Sequence, residues 1–309
     1  ILLLQVIYKK NLLNGKNFKR HKMKNIKNVG VIGSGLMGTE IAMVFAQHHY
    51  KVVLIDNSPV ALEQSKKKID LILKKGMDRS LLTKDDSSNI LSNISLEADF
   101  NSARNFDLAI EAVFEKISIK ENVLKELDQK MPIDSIIASN TSSISITTLS
   151  SFLKQERRKL FLGTHFFSPV TRMKLVEVIP CVDTDKECLE SIVSLCTQIS
   201  KKGIAIKDVV GFAVNRLLHA MIIEAVRLVE EGVASPEDID TACQLGLGHP
   251  IGPFQLLDLT KNSLSVDVQT ILENAYGERF KPRPLLKQMV SAGYDGKHVG
   301  RGWYNYDKK

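Results

Sequence analysis

From Val29 onward, short runs of β-branched and apolar residues alternate with longer stretches whose apolar positions recur every three or four residues. That alternation predicts parallel βαβ units, since a parallel strand pair needs a crossover long enough to hold a helix. Strands are predicted at Val29–Ile32, Lys51–Ile55, Phe106–Ala112 and Ser135–Ala138, with Leu160–Thr164 and Leu175–Ile179 closing the layer. A helix from Leu36 to His48 joins the first two strands. Ser58 followed by Pro59 reads as an N-cap with proline at the first helical position, for a helix that stops near Gly76. Ser118-Ile-Lys-Glu121 reads as a capping box opening a helix to about Met131, and Thr184 with Glu187 as the cap of another. Beyond about Lys207 the strand pattern ceases. Gly211–Glu231 carries Leu217, Leu218, Met221, Ala225 and Leu228 at helical spacing, Gly232 stops it, and Ser235-Pro236-Glu237-Asp238 opens the next helix.

Charge changes the picture at one end only. The formal net charge of the 309 residues is +7, yet residues 1–27 hold eight Lys/Arg and no acid, so the remainder carries 7 − 8 = −1. A nucleic-acid-binding domain carries its basic excess on the folded body, so this balance argues against nucleic acid as a partner. Residues 1–24 read as a basic extension outside the fold, either non-native or a targeting segment. The localisation expected is cytoplasmic, or the mitochondrial matrix if that segment is an address. No apolar run approaches a membrane span. The four cysteines show no metal-ligand spacing and read as thiols of a reducing compartment, with no metal expected.

Candidate chemistry begins at Gly33-Ser-Gly35-Leu-Met-Gly38, between a predicted strand and a predicted helix. Gly33 suits a tight turn, Gly35 a close approach of backbone to a pyrophosphate, and Gly38 close helix–sheet packing. The helix N-terminus then offers N–H groups to phosphate. Asp56, 23 residues after Gly33 at the end of the second strand, stands where an acid accepts ribose hydroxyls and repels a 2′-phosphate. The fold class is therefore α/β, a Rossmann-type doubly wound and mostly parallel sheet. The NAD-binding domain is placed at residues 25–208, with an all-helical substrate and dimerisation domain at 209–309.

Two further stretches, Ser139-Asn-Thr-Ser142-Ser143 and His165-Phe-Phe-Ser168-Pro169, lie beyond predicted strand ends. Open parallel sheets bind ligands at strand C-termini, so both face the crevice of the glycine loop. Oxidising an alcohol needs a base for its proton, and histidine titrates in the working range. Glu177, twelve residues on, suits a carboxylate that orients the imidazole. Spacing alone leaves a buried structural histidine and a salt-bridged strand carboxylate open as alternatives.

GSGLMG, Asp56, SNTSS, HFFSP, MKLVEV, GFAVNR, GHPIGPF and the closing GRGWY together resemble the L-3-hydroxyacyl-CoA dehydrogenase family, nearest its bacterial 3-hydroxybutyryl-CoA members, from about residue 25 to the C-terminus. The resemblance implies NAD-dependent, reversible oxidation of a (3S)-3-hydroxyacyl-CoA. It implies His165 as general base, Glu177 as its partner, and Ser142 and Asn215 as groups that position the substrate. It assigns Gly33, Gly35, Gly38, Asp56, Glu115, Lys120, Ser142, Ser168 and His298 to the cofactor. Lys68 and Lys75, in the basic stretch Lys66–Arg79, are assigned to CoA, and the helical half to a homodimer. Four positions depart from the family: Ser168 replaces an asparagine, and Val209-Val-Gly-Phe lacks a proline. His298 stands where a lysine is usual, beside Lys297, and Asp258-Leu-Thr-Lys-Asn lacks a glycine-containing turn. Two rival readings remain: a β-hydroxyacid or L-gulonate 3-dehydrogenase acting on a free acid, and a non-enzymatic NAD-binding dimer.

Overall fold

The computed structural model describes residues 25–306. The readings made on residues 1–24 lie outside them. Strands β1 (Asn28–Ile32), β2 (Lys51–Ile55), β3 (Ile94–Glu97), β4 (Leu108–Glu111), β5 (Ile136–Ser139), β6 (Phe161–Phe166), β7 (Leu175–Pro180) and β8 (Lys202–Ala205) form one sheet. Its order is β3-β2-β1-β4-β5-β6-β7-β8. The order reverses at β1 and β4, which opens a crevice beyond their C-terminal ends.

Helices α1 (Leu36–Gln47), α2 (Pro59–Asp78), α3 (Lys84–Ser92), α4 (Ile117–Lys130), α5 (Ile146–Ser150), α6 (Gln155–Arg158) and α7 (Lys186–Gln198) accompany the sheet. Alternate strand residues serve its two faces, as the period of two requires. Val31 and Ile110 pack with Ile41, Ile69 and Ile192 on one face. Ile32 and Ala109 pack with Leu124, Leu127 and Phe161 on the other. After β8 the described residues form no further strand of the sheet but helices α8 (Val214–Glu230), α9 (Pro236–Gly246), α10 (Pro253–Thr260), α11 (Asn262–Tyr276) and α12 (Pro284–Ser291), with isolated bridges pairing Gly296 with Arg301 and Arg301 with Asn305.

Several sequence expectations are corrected. The layer does not end with Leu175–Ile179: β8 follows, and β3 was not expected at all. Both are four-residue edge strands: Ile94-Ser-Leu-Glu97 alternates but is too short for its period to stand out, and Lys202-Gly-Ile-Ala205 does not alternate. β7 runs antiparallel to β6, because an eight-residue loop joins them where a parallel step needs a crossover. Ser118 caps nothing: α4 starts at Ile117 behind Lys116, with no side-chain cap. Thr184 also caps no helix, since its hydroxyl donates to Phe161 O and accepts from Cys181 N, which leaves Asp185 as the N-cap of α7. The buried stripe of α8 is His219, Ile222, Ile223, Ala225 and Val226, whereas Leu217 is 72% exposed. Where the glycine-containing turn is missing, Lys261 itself takes φ +89° between α10 and α11.

Candidate active site

The glycine loop sits at the mouth of the β1/β4 crevice. Gly33 adopts φ +100°, and a Cβ there would lie 2.7 Å from Ala112 O. A Cβ on Gly38 would lie 1.8 Å from Gly33 O, so both positions are fixed by the chain's own packing. Gly35 differs: its φ is −66°, and an added Cβ would meet nothing within 4 Å among the described residues beyond its own chain neighbours. Nothing in the chain demands glycine there, whereas a backbone approached by a pyrophosphate does. Gly35 is also the N-cap of α1, with no side-chain cap over the first helical N–H groups. A cavity of about 580 Å³ opens here, lined among others by Ser34, Gly35, Asp56, Ser58, Val113 and Phe114. Asp56 Oδ2 accepts from Ser34 N (2.8 Å) and Ser34 Oγ (3.0 Å), and Oδ1 accepts from Ser58 N (2.9 Å). Its carboxylate thus rims the cavity and ties the glycine loop to the start of α2. Volume, uncapped helix end and acidic rim fit a dinucleotide. Phe114, 79% exposed at this cavity, was missed in the sequence; an aromatic three residues past a buried strand was its one signal.

His165 does not lie beyond a strand as expected but within β6, directly opposite Glu177 of β7 in the antiparallel register. The hairpin therefore sets the two side chains side by side. His165 Nδ1 lies 2.8 Å from Glu177 Oε2, with Glu177 fully buried and His165 6% exposed. A carboxylate only accepts, so Nδ1 carries the proton and Nε2 of a neutral ring keeps its lone pair. The second oxygen was not foreseen. Glu177 Oε1 accepts from Ala213 N and Val214 N, 3.0 Å each, and so caps the first turn of α8. Burial acts to raise the Glu177 pKa, but the bonds from His165, Val214 and Ala213 together hold it below the ordinary carboxylate value. Phe167 and Phe212 flank the imidazole, with ring centroids 4.5 and 5.6 Å away.

The SNTSS loop begins as β5 ends and is pinned on both sides. Asn140 Oδ1 accepts from Phe166 N (2.9 Å), next to His165. Glu115 Oε1 accepts from Thr141 Oγ1 (2.5 Å) and from Ser142 N and Ser143 N (2.9 Å each). Lys120, 1% exposed, places its ammonium 2.7 Å from Glu111 Oε1 and 3.1 Å from Glu115 Oε2. Burial pushes Glu115 up, but Lys120 and the Thr141, Ser142 and Ser143 donors prevail and bring its pKa down to about 2. Glu115 and Lys120 therefore shape the loop that presents Ser142. Asp208, unforeseen in the sequence, accepts from Ser145 Oγ (2.8 Å), Ile146 N (3.0 Å) and Thr147 N (2.8 Å). It fastens the stretch leading into α8 to the same loop.

Asn215 follows Val214 in the first turn of α8; it is half-buried, and its side chain has no hydrogen-bond partner among the described residues. Ser168 is exposed on the β6–β7 loop. Lys75 is exposed in the last turn of α2, while Lys68 turns inward, 3.2 Å from both Glu40 Oε1 and Leu36 O. His298 is not brought to the cofactor cavity: it sits in the closing segment of the helical half, Nε2 3.3 Å from Asp295 Oδ2. Among the described residues no His, Cys, Asp or Glu cluster could hold a metal, and no helix is long and apolar enough to cross a membrane.

The sheet order and the glycine cradle define a Rossmann-class dinucleotide-binding protein. Residues 28–209 match the family model of the 3-hydroxyacyl-CoA dehydrogenase NAD binding domain, and residues 211–306 match that of the C-terminal domain. The chain belongs to the 3-hydroxyacyl-CoA dehydrogenase family, a family of enzymes, and NAD is the cofactor of its first domain. It is 40% identical over 293 residues to the mitochondrial hydroxyacyl-coenzyme A dehydrogenase of Sus scrofa, covering 91% of each chain. It is 35% identical over 285 residues to a probable 3-hydroxybutyryl-CoA dehydrogenase of Bacillus subtilis, covering 92% of this chain and 99% of that one. The crystal structure of (S)-3-hydroxybutyryl-CoA dehydrogenase from Ralstonia eutropha superposes with TM-score 0.87 at 36% identity, over 92% of this chain and 100% of that chain.

Proposed function

We propose that this chain oxidises the 3-hydroxyl of a (3S)-3-hydroxyacyl-CoA, 3-hydroxybutyryl-CoA above all, and runs the reverse reduction. The observation that carries the reading is the buried 2.8 Å pair of His165 Nδ1 and Glu177 Oε2, which leaves Nε2 of the neutral ring with its lone pair. His165 Nε2 takes the proton of the 3-hydroxyl as C3 loses hydride, and Glu177 stabilises the imidazolium that results. Bound NAD supplies the hydride acceptor. Ser142 and Asn215 hold the oxygen at C3 by hydrogen bonds that add no charge. Lys75 meets a CoA phosphate from the exposed face of α2.

Residues 25–208 hold NAD in this reading, and residues 209–309 complete the substrate site and form a homodimer. Exposed Leu217 (72%), Leu245 (84%) and Leu247 (68%) in the helical half support the dimer. The four free thiols suit a reducing compartment, the cytoplasm or a mitochondrial matrix. The test compares acetoacetyl-CoA with free acetoacetate and gulonate, using wild type and His165→Ala. Acetoacetyl-CoA should be turned over far faster than the acids, and the variant should lose roughly two to four decades of kcat while NADH binding persists. Preference for a free acid, or an active His165→Ala enzyme, overturns the reading.

A further inference from the structure

Between β6 and β7 the chain makes a loop that leaves His165 and Phe166, passes Ser168, and returns towards Glu177. One residue of it, Val170, is 1% exposed, and both polar groups of its backbone are taken by ionisable side chains from elsewhere. Its N–H donates to Glu40 Oε2 at 2.6 Å. Its carbonyl accepts from the Lys201 ammonium, which also donates to Met173 O at 2.7 Å. Glu40 lies on α1, the helix that opens at the glycine loop, and is only 5% exposed. Its other oxygen faces Lys68 of α2 at 3.2 Å, and Lys68 in turn donates to Leu36 O in the first turn of α1. Lys201 is 7% exposed; burial and then Lys174 lower its pKa, with Glu40 opposing them.

A carboxylate buried on the cofactor helix needs a reason, because an unpaired one is strongly disfavoured and an apolar residue would pack there freely. Here its partners are the loop that links the base to its orienting glutamate and a lysine from the basic helix. We propose that Glu40, with Lys201 behind it, is a positioning residue that sets the β6–β7 loop, and through it His165 and Ser168, against the cofactor helix. The inference rests on the reading of His165 as base. The Glu40 carboxylate bonds Val170 N and Lys68 and not His165, so it acts by fixing where the peptide at Val170 sits relative to α1. Hydride transfer tolerates little displacement, so freeing that anchor lowers turnover more than it lowers binding.

The experiment uses the full chain with Glu40→Ala, Glu40→Gln and Lys201→Met, assayed with acetoacetyl-CoA and NADH. NADH affinity is measured separately by fluorescence titration, and thermal melting is recorded for each. Glu40→Ala should lose roughly 10- to 100-fold in kcat, with KM and the NADH Kd moving much less. Glutamine can still accept from Val170 N, so Glu40→Gln should recover most of that loss, and Lys201→Met should reproduce it. If Glu40→Ala does not fold, the contrast between Glu40→Gln and Lys201→Met decides. A lowered melting temperature with wild-type kcat in the alanine and Lys201 variants makes the cluster merely structural and overturns the proposal. Wild-type protein inactive on acetoacetyl-CoA would sink the reading of the active site instead.

Discussion

Glu177→Gln changes one atom of a fully buried side chain that is engaged at both oxygens. The amide must keep its oxygen towards Ala213 N and Val214 N, since the opposite orientation would set an NH₂ against two donors. Its NH₂ then faces His165 Nδ1, which has to become an acceptor. The ring proton moves to Nε2, and the lone pair that takes the substrate proton in the proposed reaction is gone. The equivalent wrong-tautomer substitution in serine proteases lowers kcat about 10⁴-fold, so we expect a loss of roughly three to four decades here, or about 4–5.5 kcal/mol in the barrier. Stability should change much less, by about 1–2 kcal/mol, because the cap of α8 survives in neutral form. The sign of the pH effect follows from the depressed Glu177 pKa. Its contribution is complete above the ordinary value of 4.5 and fades as pH falls through the lower folded value, so the glutamine variant should lose stability less steeply under acid. Steady-state NADH oxidation with acetoacetyl-CoA measures the first effect and urea unfolding the second. Turnover within about tenfold of wild type would refute the tautomer argument.

Gly35→Ala should fold with wild-type melting behaviour yet lose at least about tenfold in NADH affinity, whereas Gly38→Ala should be destabilised outright. Equal melting curves for the two variants would contradict the roles given to these glycines. His219 is buried, its Nδ1 has no partner among the described residues, and burial brings its pKa down to about 4 from 6.5. The unfolded chain takes up that proton first, so stability should drop as pH falls from 6.5 to about 4, by as much as about 3 kcal/mol. His219→Leu should flatten that slope in urea unfolding, and an unchanged slope would count against it. Lys261→Gly should raise the unfolding midpoint by the equivalent of about 1 kcal/mol, because it relieves a positive-φ residue at some entropic cost. A lowered midpoint would show that φ +89° carries no strain there.

The strand–glycine–helix opening was legible because local chemistry and periodicity agree: β-branched runs, a proline at the first turn of α2 and three glycines each announce one feature. The edge strands β3 and β8 were not, since four residues carry too little alternation to stand out. For the site, the sequence named His165 and Glu177 but could not place them, as the antiparallel register that makes them neighbours is a tertiary fact. Glu40, Lys201 and Asp208 were invisible for a related reason. Each binds backbone atoms of a distant loop, and a backbone partner leaves no residue type to read. His298 is a different case, a motif position whose imidazole lies 3.3 Å from Asp295, a tertiary contact that the motif does not announce.

The two oxygens of Glu177 serve different halves of the molecule, one facing the His165 imidazole and the other closing the first turn of α8. The halves are therefore not interchangeable parts, although separate family models describe them. A chimera that grafts another helical half after residue 209 would keep His165 and Glu177 in sequence but make two donors of that carboxylate depend on the incoming turn. Such a graft succeeds only if it reproduces the turn that delivers the N–H groups of residues 213 and 214. Recombination between relatives should accordingly tolerate junctions within the helices after α8 and reject those between Glu177 and Val214.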